Sequence, residues 1–334
     1  MRRLSDLIKK KLAGQVCLLR TDFNIETPED SLRLEASLPT IKALLKKGVK
    51  IVILSHRGRP VKPEMALSLK IVIPFLEKQL KQRTVLLKNI PGKLPAGKLF
   101  LLENLRFWSG EEKNDSAFAQ TLSRLGDFYV NDAFAVSHRK NASVTSLPRL
   151  LPSYAGFLLE KEIKTLSHTM RNPKKPLLLI FGGSKVSDKI PAIKNLLPKA
   201  NKVLLGSSCL NKQNLIPKSK KIIKPKDWLS QDSLALDIGP LAVKAYIEEI
   251  GKAKTIIWNG PLGKFEDPKF AAGSIAVAKA ISQSRAFSII GGGETTQLIL
   301  KLKLKNKIGF LSTGGGAMLE FLAGKKLPGI LALN

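Results

Sequence analysis

The sequence predicts an α/β protein built from two doubly wound, parallel-sheet, Rossmann-like domains. Three observations carry this expectation. Short runs of continuous apolar residues recur along the whole chain, each followed by a turn signal and a helix-like stretch. Continuous rather than alternating hydrophobicity marks strands buried on both faces, and strands that alternate with helices build βαβ units. The 334 residues are too many for one ordinary domain and suit two of ~100–200 residues each. Finally, the expected strand ends carry arginine in the first half and glycine in the second. The carboxyl edge of a parallel sheet is where such folds bind ligands.

The first series of expected strands covers residues 16–19, 50–54, 84–87, 99–102 and 128–130. The second covers 177–181, 202–205, 255–258, 287–290 and 308–311. Between them the chain breaks at 147–154, where Pro148 and Pro152 flank Leu150 and Leu151. Residues 155–170 then read as an amphipathic helix, because Phe157, Leu158, Leu159, Ile163 and Leu166 recur at helical spacing. The expected domains are 1–153 and 154–324, joined by this helix.

Composition narrows the function classes. There are 56 Lys+Arg against 26 Asp+Glu, a net charge of +30, so the chain attracts anions and nucleic acid is a rival partner. The lysines are scattered in pairs such as Lys46-Lys47 and Lys220-Lys221, and aromatics make up only 6%, without the aromatic–basic interleaving that stacks bases. A solvated, lysine-rich surface with no specific nucleic-acid role is expected. No apolar stretch approaches the ~20 residues needed to span a bilayer, and the basic start lacks a signal-peptide core. Two cysteines, Cys17 and Cys209, suggest neither a disulfide framework nor a zinc site. A soluble, cytoplasmic protein is therefore expected.

In the second half, expected strands run into Gly182-Gly183, Gly260, Gly291-Gly292-Gly293 and, just beyond, Gly314-Gly315-Gly316. Glycine lets backbone N–H groups approach an anion closely, and a following helix adds the positive end of its dipole. One such loop could be only a tight turn. Several at one sheet edge predict a phosphate or nucleotide site. Residues 92–98 also fit G-x-x-x-x-G-K, but Leu99 stands where Ser or Thr would hold magnesium, and the segment precedes a strand rather than a helix. It reads as a surface loop.

In the first half the strand ends carry Arg20, Asp22 and Asn24 (RTDFN), His56, Arg57 and Arg59 (SHRGRP), and Arg106 (ENLRF). Arg139 lies beyond the fifth strand and Arg33 opens a helical run. Guanidinium forks bind phosphate and carboxylate bidentately, so together these residues predict a receptor for a small polyanion. A single arginine would read as a surface salt bridge, and His168 as incidental. No hydroxyl nucleophile, Ser-His-Asp set or metal-ligand cluster is evident. Phosphoryl transfer between bound anions needs positioning and positive charge more than reactive groups.

The motifs RTDFN, SHRGRP, LLENLRF, NDAF…SHR, AGFLLEKE, GGSKVSDK, DIGP, WNGPLGKFE, GGGETT and STGGGAMLEFLAGKKLPGI resemble those of phosphoglycerate kinases, in the family's order, from Arg20 to the C-terminus. The resemblance implies a glycolytic and gluconeogenic phosphotransferase. It would pass a phosphoryl group reversibly from 1,3-bisphosphoglycerate to ADP, giving 3-phosphoglycerate and ATP, by in-line transfer after hinge closure of a cleft between the domains. It implies that Asp22, Asn24, Arg33, His56, Arg59, Arg106 and Arg139 bind the phosphoglycerate. It assigns Lys185, Lys189, Asn259, Glu266, Gly292, Gly293, Glu294 and Thr295 to the nucleotide. Arg33, Lys185, Gly315 and Gly316 would act on the transferring group, and Glu294 would meet Mg2+, directly or through water or phosphate. Residues 325–334 would pack back on the first domain, and a monomer is expected.

Three features depart from the family pattern. The chain is short, most clearly around 211–234. LGSSCL stands at 205–210 where a glycine triplet and Met-Ala are usual, beside the adenine. Glu294 replaces the usual aspartate. The last two leave open a catalytically impaired relative that kept the fold.

Overall fold

The structure is a computed structural model, and it describes residues 1–27 and 32–333. Residues 28–31, which precede the helical run opened by Arg33, and Asn334, the last residue of the expected returning segment, lie outside the described residues. The chain divides into two compact units, one of residues 1–163 with the C-terminal stretch from Lys326, the other of residues 164–325. The division falls inside the helix Phe157–Arg171.

The first unit holds six strands: β1 (Val16–Arg20), β2 (Lys50–Leu54), β3 (Thr84–Leu87), β4 (Leu99–Leu102), β5 (Phe128–Asn131) and β6 (Ser153–Ala155). They lie in the order β3-β4-β2-β1-β5-β6, and every pairing is parallel. The strand sequences alternate in space but not in polarity: Leu18, Val52 and Phe100 face one way, Leu19, Ile53 and Leu101 the other, and all are buried. Helix Leu32–Lys46 inserts Leu34, Ile41 and Leu44, a three-to-four-residue stripe, into the core on one face. The order reverses at β1, with β2 on one side and β5 on the other, and this switch point is where an open α/β sheet leaves a crevice.

The second unit repeats the plan with β7 (Leu177–Phe181), β8 (Lys202–Leu205), β9 (Ile222–Ile223), β10 (Trp228–Gln231), β11 (Leu234–Ile238), β12 (Thr255–Asn259), β13 (Phe287–Gly291) and β14 (Phe310–Leu311). Six of them form a parallel sheet in the order β14-β13-β12-β7-β8-β9, with its switch point between β7 and β12. Strands β10 and β11 form a separate antiparallel hairpin. Trp258 lies at the centre of this core, fully buried.

The ten predicted strands are all present. Four others, β6, β9, β10 and β11, lie outside that prediction. They are two to five residues long, and β10 is exposed at every position, so neither length nor hydrophobicity marks it. Residues 92–98 form the loop before β4, as their context predicts.

The final described residues belong to the first unit. The helix Pro328–Leu331 lies against the turn Ala142–Ser146, and the Gly329 amide donates to the Ser137 carbonyl at 2.8 Å. Leu327 and Leu333 are buried there.

Candidate functional site

In the first unit the ends of β1 and β2 are tied together before any binding group is placed. The Ser55 hydroxyl donates to the Thr21 carbonyl (3.0 Å) and accepts from the Phe23 amide (2.9 Å). The Asn24 side-chain oxygen accepts from the Gly58 amide at 2.8 Å, fixing the turn after β2. On this frame Arg33 reaches across: its Nη1 donates to the Asn24 carbonyl at 2.6 Å and lies 3.3 Å from an Asp22 carboxylate oxygen. The His56 Nδ1 is 4.0 Å from the other Asp22 oxygen and 3.4 Å from Arg20 Nη2. Arg106 donates to the Gly58 carbonyl and pairs with Glu112 at 3.1 Å.

His56 is held well below the ordinary histidine range, first by burial, then by the charges of Arg20, Arg106, Arg33 and Arg139. The buried imidazole thus lies in the field of four guanidinium groups, with Arg20 Nη2 at 3.4 Å. Arg59 is exposed and adds its charge beside Arg106, whose own pKa is lowered chiefly by burial. The structure thus brings Asp22, Asn24, Arg33, His56, Arg59, Arg106 and Arg139 to one edge of the sheet. Arg57 is different. Its guanidinium is spent on main-chain carbonyls of Ile25, Glu26, Ala66 and Ser68, which makes it a clamp for the surrounding loops.

In the second unit the loops after β7, β8 and β12 are stitched into one surface by their backbones. The Gly182 amide donates to the Asn259 carbonyl (3.1 Å), Gly183 to Pro261 (2.7 Å) and Ser207 to Leu262 (2.9 Å). Gly260 has φ +87°, and any Cβ there would strike the Gly182 backbone, so this close approach admits glycine alone. Gly293 has no such reason. A Cβ on it would meet nothing within 4 Å, although it opens the helix Gly293–Lys301. Its lack of a side chain leaves room beside the free first-turn amides, as a bound anion requires.

Asn259 strengthens that reading. It is buried at the end of β12, and its Nδ2 has no hydrogen-bond partner. A buried donor left unsatisfied costs about 1–3 kcal/mol, which a ligand oxygen would recover. A pocket of about 460 Å³ opens at this edge, lined among others by Gly183, Ser184, Ser207, Glu266 and Glu294. Lys189 is mostly buried, with its Nζ donating to the Lys185 carbonyl at 3.0 Å. Burial lowers its pKa, opposed by Asp188, Glu294 and Cys209. Lys185 itself is exposed. Thr295 turns inward, its Oγ1 accepting from the Gly260 amide at 2.8 Å, so it joins two loops of the site. At the helix Gly316–Leu322, Gly315 has φ +48° and open space around it.

A sequence profile of the phosphoglycerate kinase family matches residues 5–212 and 207–325. The phosphoglycerate kinase of a Nitratiruptor species is 40% identical, with 96% of each chain covered. That of Dictyoglomus turgidum is 37% identical, with 98% of each covered. Among solved structures, phosphoglycerate kinase from Pyrococcus horikoshii OT3 superposes with a TM-score of 0.87 at 31% identity, covering 100% of this chain and 98% of that one. The one from Coxiella burnetii gives 0.83 at 32%, covering 99% and 98%.

The chain belongs to the phosphoglycerate kinase family.

Within this family the chain is compact. The alignment with the Nitratiruptor protein runs over 387 positions, more than the 334 residues here, so that relative carries segments this chain lacks. Where the notable shortening is expected, at 211–234, the chain keeps a hairpin, and Leu234 and Leu236 of β11 wall the pocket. In the LGSSCL loop the two hydroxyls serve neighbouring loops: Ser207 donates to the Leu262 carbonyl (3.0 Å) and Ser208 to Gly183 (2.9 Å). Glu294 stands exposed in the first turn of its helix, at the pocket's rim.

Two buried residues behind the arginine edge escaped the sequence reading. Glu111 accepts from the Ser143 amide (2.9 Å) and hydroxyl (2.6 Å), and Ser143 Oγ accepts from Arg20 Nε (2.8 Å). They are 32 residues apart and over 90 from Arg20, so no local pattern announces them.

Proposed function

We propose that the chain catalyses reversible phosphoryl transfer from 1,3-bisphosphoglycerate to ADP, giving 3-phosphoglycerate and ATP. Asp22, Asn24, Arg33, His56, Arg59, Arg106 and Arg139 bind the phosphoglycerate. Lys185, Lys189, Asn259, Gly292, Gly293 and Thr295 hold the nucleotide phosphates or shape their loops, and Glu266 takes the ribose. The observation that carries this reading is the presence, in one chain, of an arginine-lined carboxyl edge and a glycine-lined one.

The chemistry suits these parts. In the ATP-consuming direction the acceptor is a carboxylate, already ionised at neutral pH, so no general base is needed. Charge spread over the transferring oxygens is met by Arg33, Lys185 and the amides around Gly315 and Gly316. Hinge closure of the two domains, 1–153 with the returning C-terminus and 154–324, brings the sites together and excludes water, so the acyl phosphate and ATP are not hydrolysed.

The donor set fits magnesium delivered with the nucleotide. Among the described residues no group of three His, Cys, Asp or Glu could hold a metal by itself, and Glu294 is a carboxylate at the pocket rim. Mg2+ bound to phosphates plus one carboxylate or its water is a common arrangement. The ion supplies charge neutralisation on the phosphates; the chain supplies Glu294 to orient it. The enzyme acts as a cytoplasmic monomer with no specific nucleic-acid partner.

A coupled assay with ATP, Mg2+ and 3-phosphoglycerate tests the reading. ATP consumption that depends on 3-phosphoglycerate is expected, and its absence in folded protein overturns the proposal in favour of an inactive relative.

A further inference from the structure

Behind the arginine edge lies a chain of buried polar groups that substrate contact alone would not require. Glu111, on the short helix Ser109–Glu112, is fully buried and has both carboxylate oxygens engaged by Ser143. Ser143 sits in the π-helical turn Ala142–Ser146, whose path is pinned further by Tyr129, its hydroxyl donating to the Ser143 carbonyl at 2.8 Å. Single π turns often mark functional places in helices. Ser143 Oγ in turn accepts from Arg20 Nε, and Arg20 Nη2 lies 3.8 Å from Glu111 and 3.4 Å from His56 Nδ1.

The end of this chain has one chemical consequence. A guanidinium only donates, so Arg20 can meet Nδ1 only if that nitrogen presents a lone pair. The proton of the ring then resides on Nε2. Asp22, 4.0 Å from the same Nδ1, pulls the other way, because a carboxylate favours a proton on the nitrogen it faces. The aim of Arg20 decides between the two, and Ser143 and Glu111, together with the Thr21 carbonyl that accepts from Nη1, fix that aim.

We propose that Glu111 and Ser143 are positioning residues which, through Arg20, set His56 with Nδ1 as acceptor and Nε2–H as the donor available to an anion. This rests on the phosphoglycerate-binding role given above to His56. The charged groups that act on the imidazole are Asp22, 4.0 Å from Nδ1, and Arg20, Arg33, Arg106 and Arg139.

The test combines spectroscopy with kinetics on the full chain. The sequence has three histidines, so His138→Gln and His168→Gln identify the His56 signals by elimination. In the wild type, 15N NMR is expected to show His56 Nδ1 unprotonated and Nε2 protonated. In Ser143→Ala both tautomers should appear, and KM for 3-phosphoglycerate should rise about tenfold, the scale of one charge-assisted hydrogen bond, with KM for ATP unchanged. Ser143→Thr, which keeps the hydroxyl, should restore both readouts. Glu111→Gln should behave as Ser143→Ala does; if it does not fold, the serine pair decides. A wild-type proton on Nδ1 overturns the proposal. So does a Ser143→Ala protein with an unchanged tautomer, or one whose KM for ATP rises equally. The tautomer is read without substrate, so a wild type that shows the expected tautomer but no turnover would count against the proposed function and leave the relay standing.

Discussion

The two units share a plan and differ in what they offer an anion. The first presents side chains: guanidinium groups gathered near His56, with Arg20, Arg33 and Arg106 held by carbonyls, carboxylates or a buried hydroxyl. The second presents backbone: loops packed so closely that Gly182 and Gly260 leave no room for a Cβ, with Asn259 and Lys189 as sparse additions. In the proposed reaction the first arrangement would grip a small, rigid acid by charge from many directions, and the second would cradle a nucleotide, longer and delivered with its cation, by amides at helix N-termini. The difference teaches that equivalent places in one topology can be specialised by opposite means.

The sharpest way to break this comparison is to remove one guanidinium. Arg33→Ala should lower turnover by about 10²–10³-fold, or ~3–4 kcal/mol, with KM for nucleotide nearly unchanged. Steady-state kinetics decide it, and near-wild-type turnover would remove Arg33 from the catalytic set.

Glycines of the second unit should separate into two kinds. Gly260→Ala forces a side chain into the Gly182 backbone at φ +87°, and should destabilise the protein by at least ~1–3 kcal/mol. Gly293→Ala meets nothing and should leave the melting temperature unchanged while raising KM for ATP about tenfold. Equal effects of both on stability would mean that Gly293 serves the fold.

Glu294 probes the additions. Glu294→Gln should raise the magnesium concentration needed for half-maximal rate and lower turnover several-fold, whereas Glu294→Asp stays active. A magnesium titration unchanged in Glu294→Gln would remove this residue from the nucleotide site.

The smallest effect concerns Asp132 in the first unit. It is fully buried at the end of β5, its Oδ1 accepting from the Leu158 amide at 2.9 Å and its Oδ2 unpartnered. Burial pushes its pKa up to about 7. The native state therefore binds a proton that the unfolded state has released above its own pKa near 3.8, and stability falls as pH rises from about 4 to about 7. Asp132→Asn keeps the acceptor oxygen and should flatten that slope in thermal melts. An identical slope in both proteins would contradict the assignment.

The legibility of these features in the sequence followed their physics. Strands buried on both faces announce themselves as apolar runs, and so β1–β5 and β7 were readable; the wholly exposed β10 was not. Arginines at strand ends were visible as residue types, but only packing separates Arg57, committed to carbonyls, from Arg106 beside it. The glycine loops were visible by position. Their distinction into Gly260, which the fold demands, and Gly293, which it does not, needed coordinates. Glu111 and Ser143 were invisible, because a buried relay is defined by contacts across distant segments.

The central claim, that the side-chain edge takes the acid and the backbone edge takes the nucleotide in one reaction, is tested most directly by a matrix of Michaelis constants. KM for 3-phosphoglycerate and for ATP would be measured in wild type, Arg106→Ala and Gly293→Ala. The account predicts that Arg106→Ala raises only the first constant and Gly293→Ala only the second. If Arg106→Ala raised KM for ATP while sparing that for 3-phosphoglycerate, or Gly293→Ala did the reverse, the division of labour between the two units would be contradicted.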